Sequence, residues 1–272
     1  MNAMSNYITV CEQAARASGA VLLEKMGKVA VREKAPADLV TEADLASQEL
    51  VCRKVLDAFP DHQVIGEENV NSARASHARA EYHWIVDPLD GTTNYVHGVP
   101  HFSVSLALEH NERLLVGTVF DPVSAECFTA VAGEGSYLNG RRIHTSQIAT
   151  LSDALAAVGF PPGVSRDSLD LAVFTEALES FQALRRTGSA ALNLSYLAAG
   201  RFDAAWSFST KIWDVAAGVL IIREAGGVVT APDGSPFELT QGHFSAAANE
   251  QLHAQLQALL ARVGVTRPGP RT

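Results

Sequence analysis

Residues 84–94 read WIVDPLDGTTN, and in this segment an apolar run typical of a buried strand leads directly into two carboxylates, a glycine and two hydroxyls. The proline between the acids stiffens the turn, so Asp87 and Asp90 are expected to face a common point. Gly91 lets the backbone approach a ligand, and the N–H groups of Gly91 and Thr92 are expected to open a helix that attracts an anion. The segment predicts a metal on one side and a phosphate on the other. The alternative is a plain turn, since Asp, Pro and Gly commonly form turns.

Two earlier segments repeat this pattern of an apolar run that ends in acids. Residues 64–68 read VIGEE, so Glu67 or the glutamate after it is a candidate metal ligand, unless both are solvated loop residues. Residues 38–44 read DLVTEAD, where Thr41 and Asp44 have the spacing of a capping box at a helix start. The capping and functional interpretations are compatible, because a capped helix start would hold both side chains in fixed positions.

A further acid begins an apolar helix in the second half of the chain, where residues 212–218 read IWDVAAG. Asp214 either caps this helix or binds a cation, because a nearly buried carboxylate requires a counter-charge. Carboxylate and carbonyl oxygens suit hard dications, and no clustered Cys or paired His ligands accompany these acids. We therefore expect two or three Mg²⁺ ions, with Mn²⁺ as a possible substitute. Such a site activates a bound water and needs no protein nucleophile.

The net charge of −9 argues against non-specific binding to nucleic acid or to an anionic membrane surface. No run of about 18 apolar residues occurs and no export signal is recognisable, so we expect no membrane span. The three cysteines are widely spaced and form no CxxC pair, which favours a reducing cytoplasm. Phosphate would be repelled by this acidic chain, and bound dications would reverse the local field.

Hydrophobic periodicity indicates an α+β first half and an α/β second half. Short β-rich runs fill the region between residues 83 and 131, and the Asn-Gly pair at 139–140 predicts a tight turn. Helices are expected at 6–26, 41–58, 166–183, 189–199, 213–225 and 249–262. We therefore divide the chain into an N-terminal subdomain over 1–150 with most metal ligands, a C-terminal subdomain over 151–265 that contributes Asp214 and substrate contacts, and a disordered tail at 266–272.

Taken together, these segments resemble the inositol monophosphatase family, whose signature includes a DPLDGTTN-type motif and a later WDVAAG-type motif. The match spans nearly the whole chain and includes RRTGSAALNLSYLAAGRFD at 185–203 and EAGG at 224–227. The resemblance implies a layered α/β/α/β/α sandwich of the sugar-phosphatase type. It also implies a homodimer that hydrolyses inositol-1-phosphate or a related sugar or polyol phosphate with Mg²⁺.

The resemblance further implies roles for individual residues. The first metal would be bound by Glu67, Asp87 and the carbonyl of Leu89, and the second by Asp87, Asp90 and Asp214. The attacking water would be polarised by Asp44 and Thr92, and Glu67 would also touch a third, looser metal shell. The phosphate would be held by the amides of Gly91 and Thr92. The alcohol portion would be bordered by Gly188, Ser189 and Ala190, although Ser189 is equally consistent with a simple helix cap.

One position departs from the family pattern. Inositol-preferring members carry a glutamate six residues before the Trp of the second motif, and here that position is Ser207. Histidinol phosphate, fructose-1,6-bisphosphate and 3′-nucleotides are therefore alternative substrates. Lys34 and Lys211 are either charges at the site mouth or solvated surface residues, and His97 and His101 are expected to be structural. An alternative of another class is a regulatory, partner-binding protein that retains the phosphatase fold.

Overall fold

A computed structural model describes residues 3–28, 31–35, 38–69, 80–161 and 163–265, with only the backbone described for 31–35, 38, 39 and 69. Its helices are α1 (Ala3–Lys25), α2 (Glu42–Ala58), α3 (Thr92–Val96), α4 (Leu169–Ser180), α5 (Ala190–Ala198), α6 (Ile212–Glu224) and α7 (Glu250–Arg262). None of the helices within these ranges is both long enough and apolar enough to cross a bilayer. The predicted tail at 266–272 lies outside the described residues.

The strands form a hairpin and two larger sheets. They are β1 (Val31–Ala35), β2 (Asp38–Thr41), β3 (Gln63–Gly66), β4 (Tyr82–Asp90), β5 (Ser103–His110), β6 (Arg113–Asp121), β7 (Glu126–Val131), β8 (Gly135–Leu138), β9 (Arg141–Ile143), β10 (Leu155–Val158), β11 (Ala183–Arg185), β12 (Ala204–Ser207), β13 (Val228–Thr230) and β14 (Phe244–Ala247). The seven-stranded sheet has the order β3 to β9, and the five-stranded sheet has the order β11-β10-β12-β14-β13.

In the seven-stranded sheet, β3 and β4 are parallel, and every later neighbour is antiparallel. The predicted tight turn joins β8 to β9, where Leu138 pairs with Arg141. Both turn residues have positive φ, 48° at Asn139 and 76° at Gly140. This is the backbone conformation that an Asn-Gly hairpin turn requires, so the prediction is confirmed.

Side chains of this sheet alternate between two cores. Trp84 and Val86 of β4 pack with Cys11 and Val51 on the side of α1 and α2. Ile85, which lies between them in sequence, packs in a separate core built largely from α5 and α6. Because successive strand residues point to opposite faces, β4 is covered by helices on both sides.

The five-stranded sheet completes the layers. Ala205 of β12 packs into the core shared with α5 and α6. Its neighbour Trp206 packs on the other face with Val173 of α4 and Leu252 of α7. The order of layers is therefore α1/α2, the seven-stranded sheet, α5/α6, the five-stranded sheet and α4/α7. The predicted α/β/α/β/α sandwich is confirmed.

Two local predictions were wrong. The helix expected at 166–183 is shorter, because α4 ends at Ser180 and residues 183–185 form strand β11 instead. Strand β11 has only three residues and pairs with β10, about thirty positions earlier, so a partner distant in sequence stabilises it rather than its own propensity. The β1–β2 hairpin before α2 was not predicted either.

The cysteines behave as packing residues. All three are free thiols, and Cys11 and Cys127 are buried. Burial raises the pKa of Cys127 to about 12, so this thiol stays protonated at neutral pH.

Candidate active site

The parallel register of β3 and β4 brings two of the predicted acids to one edge of the sheet. Gly66 pairs with Val86, so the next residues, Glu67 and Asp87, leave neighbouring strands at the same level. Gly66 is required at this position, since a Cβ would lie 2.3 Å from Oε1 of Gln48. The two acids therefore come together although they are separated by twenty residues of sequence.

A bulge in β4 sets the spacing between Asp87 and Asp90. Asp87 pairs with Ser105 and Asp90 with Ser103, so β4 uses one residue more than β5 over this stretch. The amide of Leu89 donates a hydrogen bond to Oδ1 of Asp87 at 3.0 Å, which holds that carboxylate within the bulge. Bulges of this kind redirect side chains, and here both carboxylates are turned towards the middle helical layer.

Asp90 is bound to the start of α5. Its carboxylate accepts hydrogen bonds from the hydroxyl of Ser189, from the amide of Ala190 at 3.1 Å and from the amide of Ala191 at 2.9 Å. Ser189 is also the N-cap of α5, because its hydroxyl accepts from the amide of Leu192 at 3.2 Å. The capping interpretation of Ser189 is therefore confirmed, and its hydroxyl connects the two halves of the chain.

Asp44 and Thr92 form a second polar cluster. Oδ2 of Asp44 accepts from the amide of Thr41 at 2.8 Å and from its hydroxyl at 2.6 Å, and Thr41 caps α2 through the amide of Ala43. The predicted capping box is confirmed. The hydroxyl of Thr92 lies 3.3 Å from Oδ1 of Asp44 and 3.0 Å from the carbonyl oxygen of Leu89. Asp44 is fully buried, so its position is fixed by these contacts.

Asp214 enters from α6, where its carboxylate is mostly buried but not wholly shielded from solvent. Its Oδ2 accepts from the amide of Lys211 at 2.7 Å, so the carboxylate also caps the helix start. The hydroxyl of Ser105 donates to the carbonyl of Trp213 at 3.2 Å and ties β5 to this end of α6. Capping thus orients Asp214 at the start of α6, and a side-chain hydrogen bond with Asp87 also contributes to its surroundings.

The four acids Glu67, Asp87, Asp90 and Asp214 interact electrostatically. Burial, followed by the charges of Glu67, Asp90 and Asp214, raises the pKa of Asp87 well above its usual range. Burial and then the charge of Asp90 raise the pKa of Asp214 to about 8. Burial also raises the pKa of Asp90, although its hydrogen bonds from Ser189 and α5 oppose this shift. At neutral pH carboxyls with such pKa values are neutralised either by protons or by a bound cation.

The donor set fits a hard dication, since it consists of carboxylates and one carbonyl oxygen. Within the described ranges, no three His, Cys, Asp or Glu side chains converge closely enough to form a complete metal-binding cluster. Helix amides bind Asp90 and Asp214, so both carboxylates are held at helix starts.

A pocket of about 340 Å³ opens beside these acids. Predicted site residues in its walls are Asp90, Gly188, Ser189, Ala190 and Asp214. The other predicted site residues, Asp44, Glu67, Asp87, Leu89, Gly91 and Thr92, are not part of its described lining. A larger cavity of about 790 Å³ near His83 and Glu109 is lined by none of the predicted site residues.

Two residues that sequence reasoning left aside also belong to this region. The side-chain Nδ2 of Asn94 donates hydrogen bonds to the backbone carbonyl oxygens of His101 and Thr187, both at 2.8 Å. These bonds fix the loop before α5 against the DPLDGTTN segment. His101 lies close enough to Asp90 for its charge to lower the pKa of that acid, while burial lowers the pKa of His101. Asn94 belongs to the DPLDGTTN motif, so the sequence offered a signal for it, whereas the proximity of His101 to Asp90 depends on the fold.

The two lysines considered for the site mouth differ in what the structure describes. Lys211 is exposed, and the side chain of Lys34 lies outside the described residues.

Comparison with known proteins identifies the family of this chain. The sequence profile of the inositol monophosphatase family matches residues 3–264. A relative from Pseudomonas aeruginosa named Nus factor SuhB is 40% identical over 94% of this chain and 96% of its own. A fructose-1,6-bisphosphatase/inositol-1-monophosphatase from Aquifex aeolicus is 38% identical over 93% of this chain and 94% of its own. The crystal structure of the extragenic suppressor protein suhB from Bartonella henselae superposes with a TM-score of 0.87 at 35% identity, covering 93% of this chain and 98% of that one. The chain belongs to the inositol monophosphatase family and is a phosphoric monoester hydrolase.

Proposed function

We propose that this chain hydrolyses a small phosphate monoester, inositol-1-phosphate or a related sugar or polyol phosphate, in a Mg²⁺-dependent reaction. The observation that carries the proposal is the gathering of Glu67, Asp87, Asp90 and Asp214 from three separate segments beside a pocket, where burial and the neighbouring acids raise the pKa values of Asp87 and Asp214. Hydrogen bonding within a turn does not require four acids in one place. A site for two or three dications, each with one or two carboxylate ligands, accounts for the whole set.

The metal ligands in this proposal are Glu67, Asp87, Asp90, Asp214 and the carbonyl of Leu89, for two or three Mg²⁺ ions with Mn²⁺ as a substitute. When bound, such ions lower the pKa of a coordinated water and neutralise charge on the phosphate. The bulge in β4 and the hydrogen bond from the amide of Leu89 orient Asp87 for this role.

Asp44 and Thr92 are proposed to orient the attacking water. The hydroxyl of Thr92 has one proton and two acceptors within reach, Oδ1 of Asp44 and the carbonyl of Leu89. When the hydroxyl donates its hydrogen bond to Asp44, its oxygen can accept a hydrogen bond from the attacking water and orient it. Thr41 holds the other oxygen of Asp44 through two hydrogen bonds, so Asp44 acts from a fixed position. Glu67 is proposed as a further contact of the water.

The substrate contacts in this proposal are Gly91, Thr92, Gly188, Ser189 and Ala190. Gly91 and Gly188 both have positive φ, 95° and 91°, so neither position tolerates a side chain without strain. A Cβ on Gly188 would also lie 2.8 Å from Nδ2 of Asn94. These two glycines permit a close approach of the backbone to a phosphate ester.

A phosphate-release assay with and without EDTA tests this function on a panel of sugar, inositol, histidinol and nucleotide phosphates. We expect Mg²⁺-dependent release from at least one ester, and no release with Asp87→Asn. Asp57→Asn, which changes an exposed carboxylate on α2, is the matched control and should be active. Asp87 is preferred to Asp90 as the target, because Asp90 also binds the N-terminus of α5. Release that is unaffected by EDTA and by Asp87→Asn would refute the proposal.

The same panel separates the substrate alternatives, which are histidinol phosphate, fructose-1,6-bisphosphate and 3′-nucleotides. Fructose-1,6-bisphosphate has specific support, because the name of the Aquifex aeolicus relative includes this activity. Ser207 also supports a substrate other than inositol phosphate, since it is buried and short where the family resemblance implies a glutamate.

A regulatory function is the second candidate, and the relative named Nus factor SuhB at 40% identity supports it. A protein of this kind would bind a macromolecular partner independently of hydrolysis. The test is whether Asp87→Asn, which we expect to be inactive, still forms a stoichiometric complex that can be rebuilt from purified components. Loss of the complex together with the activity would favour the purely enzymatic function.

We also propose that the enzyme is a cytoplasmic homodimer. Three free cysteines support a reducing compartment, and two of them, Cys11 and Cys127, are buried. Sedimentation at micromolar concentration tests the oligomeric state.

A further inference from the structure

The walls of the 340 Å³ pocket carry few charged side chains, and the acidic ones outnumber the basic ones in its described lining. Among the described residues that line it, the ionisable side chains are Asp90, Asp214 and Arg186. The two aspartates belong to the proposed metal-binding set. Arg186 is the only basic side chain of this described lining, and the proposed reaction gives it no role.

Aromatic packing holds Arg186 at the pocket wall. Its guanidinium carbon lies 5.5 Å from the ring centroid of Phe160, which also lines the pocket. Phe160 in turn packs edge-on against Phe174 of α4, with ring centroids 5.5 Å apart. A guanidinium at this distance is attracted to the face of the ring, which restrains Arg186 while its N–H donors stay available to a ligand.

The donors of Arg186 are also unused. Within the described residues, Arg186 makes no hydrogen bond or ion pair. Other polar side chains of the lining are engaged with the protein, since the hydroxyl of Thr187 donates to Asn193 at 2.6 Å and that of Thr210 donates to the carbonyl of Gly242 at 2.8 Å. The guanidinium is therefore the strongest free donor group that the described lining offers to a ligand.

Ser207 removes the group that would otherwise compensate this charge. It is buried in the pocket wall at the position where the resemblance implies a glutamate, and a Cβ on Gly159 would lie 2.8 Å from its hydroxyl oxygen. A carboxylate at this position would attract the guanidinium and compete with an anionic ligand. With serine there, the positive charge of Arg186 is left for the substrate.

We propose that Arg186 is a specificity-determining residue that selects phosphate esters whose alcohol portion carries a second anionic group, either a carboxylate or another phosphate. The inference rests on the proposed hydrolysis and deepens it, because it names the substrate class. A guanidinium binds either anion through two parallel hydrogen bonds, which a neutral hydroxyl cannot match.

Paired substrates test this inference. Fructose-1,6-bisphosphate is compared with fructose-1-phosphate, and 3-phosphoglycerate with glycerol-3-phosphate, so the two pairs separate a second phosphate from a carboxylate. For each pair the ratio of kcat/KM, charged over neutral alcohol portion, is measured in wild type, Arg186→Met and Arg185→Met. Arg185 is the matched control, because it is an exposed arginine that donates to the carbonyl of Leu184 and does not line the pocket.

We expect the wild type to favour the charged member of at least one pair. Arg186→Met should lower that ratio by about ten- to a hundred-fold, the range for losing hydrogen bonds to a charged group. Arg186→Lys should retain part of the preference, and Arg185→Met should retain all of it. A wild type with no preference in either pair, or a ratio unchanged by Arg186→Met, would overturn the inference.

A binding measurement keeps this inference separate from the proposed function. Fructose-1,6-bisphosphate and fructose-1-phosphate are titrated calorimetrically into Asp87→Asn protein, with and without Arg186→Met, in the presence of Mg²⁺. If wild type hydrolyses no ester but the bisphosphate binds more tightly only when Arg186 is present, the proposed hydrolysis fails and the selectivity stands. If Asp87→Asn protein binds the two ligands with equal affinity, the proposed selectivity of Arg186 fails. It also fails if Arg186→Met leaves the affinity for the bisphosphate unchanged.

Discussion

The hydroxyl of Thr92 lies 3.3 Å from Oδ1 of Asp44, although the two residues are 48 positions apart in the chain. Asp44 belongs to the first turn of α2, and Thr92 to the first turn of α3. Both helix starts therefore meet at the carboxyl end of β4. The contact joins two of the predicted catalytic residues through a single hydroxyl.

Replacing Thr92 by Val should remove the proposed water-orienting hydroxyl while preserving shape. We expect kcat to fall by about a hundred-fold, in the range of lost acid–base assistance, with a smaller change in KM. Thr175→Val is the control, because the hydroxyl of Thr175 bonds only to the carbonyl of Leu171 in its own helix. A variant Thr92→Val with wild-type kcat would remove Thr92 from the mechanism.

Asp87→Asn should stabilise the protein when no divalent metal is present. Burial and three neighbouring acids make a charged Asp87 unfavourable, and the amide removes that charge at nearly constant size. We expect the Tm in EDTA to rise by about 2–4 °C, which corresponds to roughly 1 kcal/mol for a chain of this size class. Added Mg²⁺ should raise the Tm of wild type far more than that of the variant. Exposed Asp57→Asn should change neither value, and a Tm of Asp87→Asn below wild type in EDTA would contradict the repulsion argument.

Ser189 and Ser168 are both helix N-caps, but only Ser189 touches a proposed metal ligand. Ser189 caps α5 and donates to Asp90, whereas Ser168 caps α4 through the amide of Leu171 at 3.3 Å. Replacing either by Ala should cost about 1 kcal/mol of unfolding free energy in urea titrations. Only Ser189→Ala should also raise the Mg²⁺ concentration needed for half-maximal activity. Equal metal dependence in the two variants would show that Ser189 is a cap and nothing more.

Gly91 combines a left-handed backbone with close neighbours. Its φ is 95°, and a Cβ would lie 3.1 Å from the carbonyl oxygen of His101 and 3.3 Å from that of Gly188. Gly98 has φ of 71° with nothing within 4 Å of the same added atom. Gly98→Ala should therefore cost only the left-handed strain, about 1–2 kcal/mol, and Gly91→Ala should cost more and reduce activity. If the two variants have similar unfolding free energies, the atoms around Gly91 can move aside for a Cβ at little energetic cost.

His253 should make the protein less stable in mild acid. It is buried on α7 with Nε2 3.1 Å from the hydroxyl of Thr230. Burial lowers its pKa, although the charge of Glu250 and a hydrogen bond at Ser245 oppose the shift. Because the folded-state pKa lies below the unfolded value, the unfolded chain binds more protons as pH falls. The stability contribution is therefore complete above the unfolded value of 6.5 and is lost as pH falls through the folded pKa.

Urea unfolding at about pH 7.5 and about pH 5.5 checks this expectation. His253→Gln should lose less stability between the two values than wild type does. The exposed His144 provides the control, and His144→Gln should follow the wild-type pH dependence. An unchanged pH dependence in His253→Gln would assign the acid sensitivity to other groups.

Local patterns were sufficient for most elements of this fold. The capping box at Thr41, the apolar runs of β4 and β5 and the Asn-Gly turn at 139–140 were predicted from neighbouring residues, because each depends on interactions within a few positions. The acids were recognised as candidates for a similar reason, since each ends an apolar run. Their individual roles follow from the family resemblance and are still predictions.

Contacts between distant residues decided the rest. Strand β11 exists because Leu184 pairs with Ala156 of β10, and nothing in residues 183–185 alone announces it. Asp90 binds the amides of Ala190 and Ala191 because the two halves of the chain pack together, which no local pattern encodes.

The sequence by itself determined the family and the inventory of acids, because motif order is carried by the chain, and the layered architecture followed from the family resemblance. The tertiary structure alone decided that Thr92 meets Asp44, that Asp90 receives the start of α5, and that Arg186 stands over Phe160 with its donors free. The physical reason is that hydrogen bonds and ring contacts act over only a few ångströms, and their partners come from segments that only packing brings together.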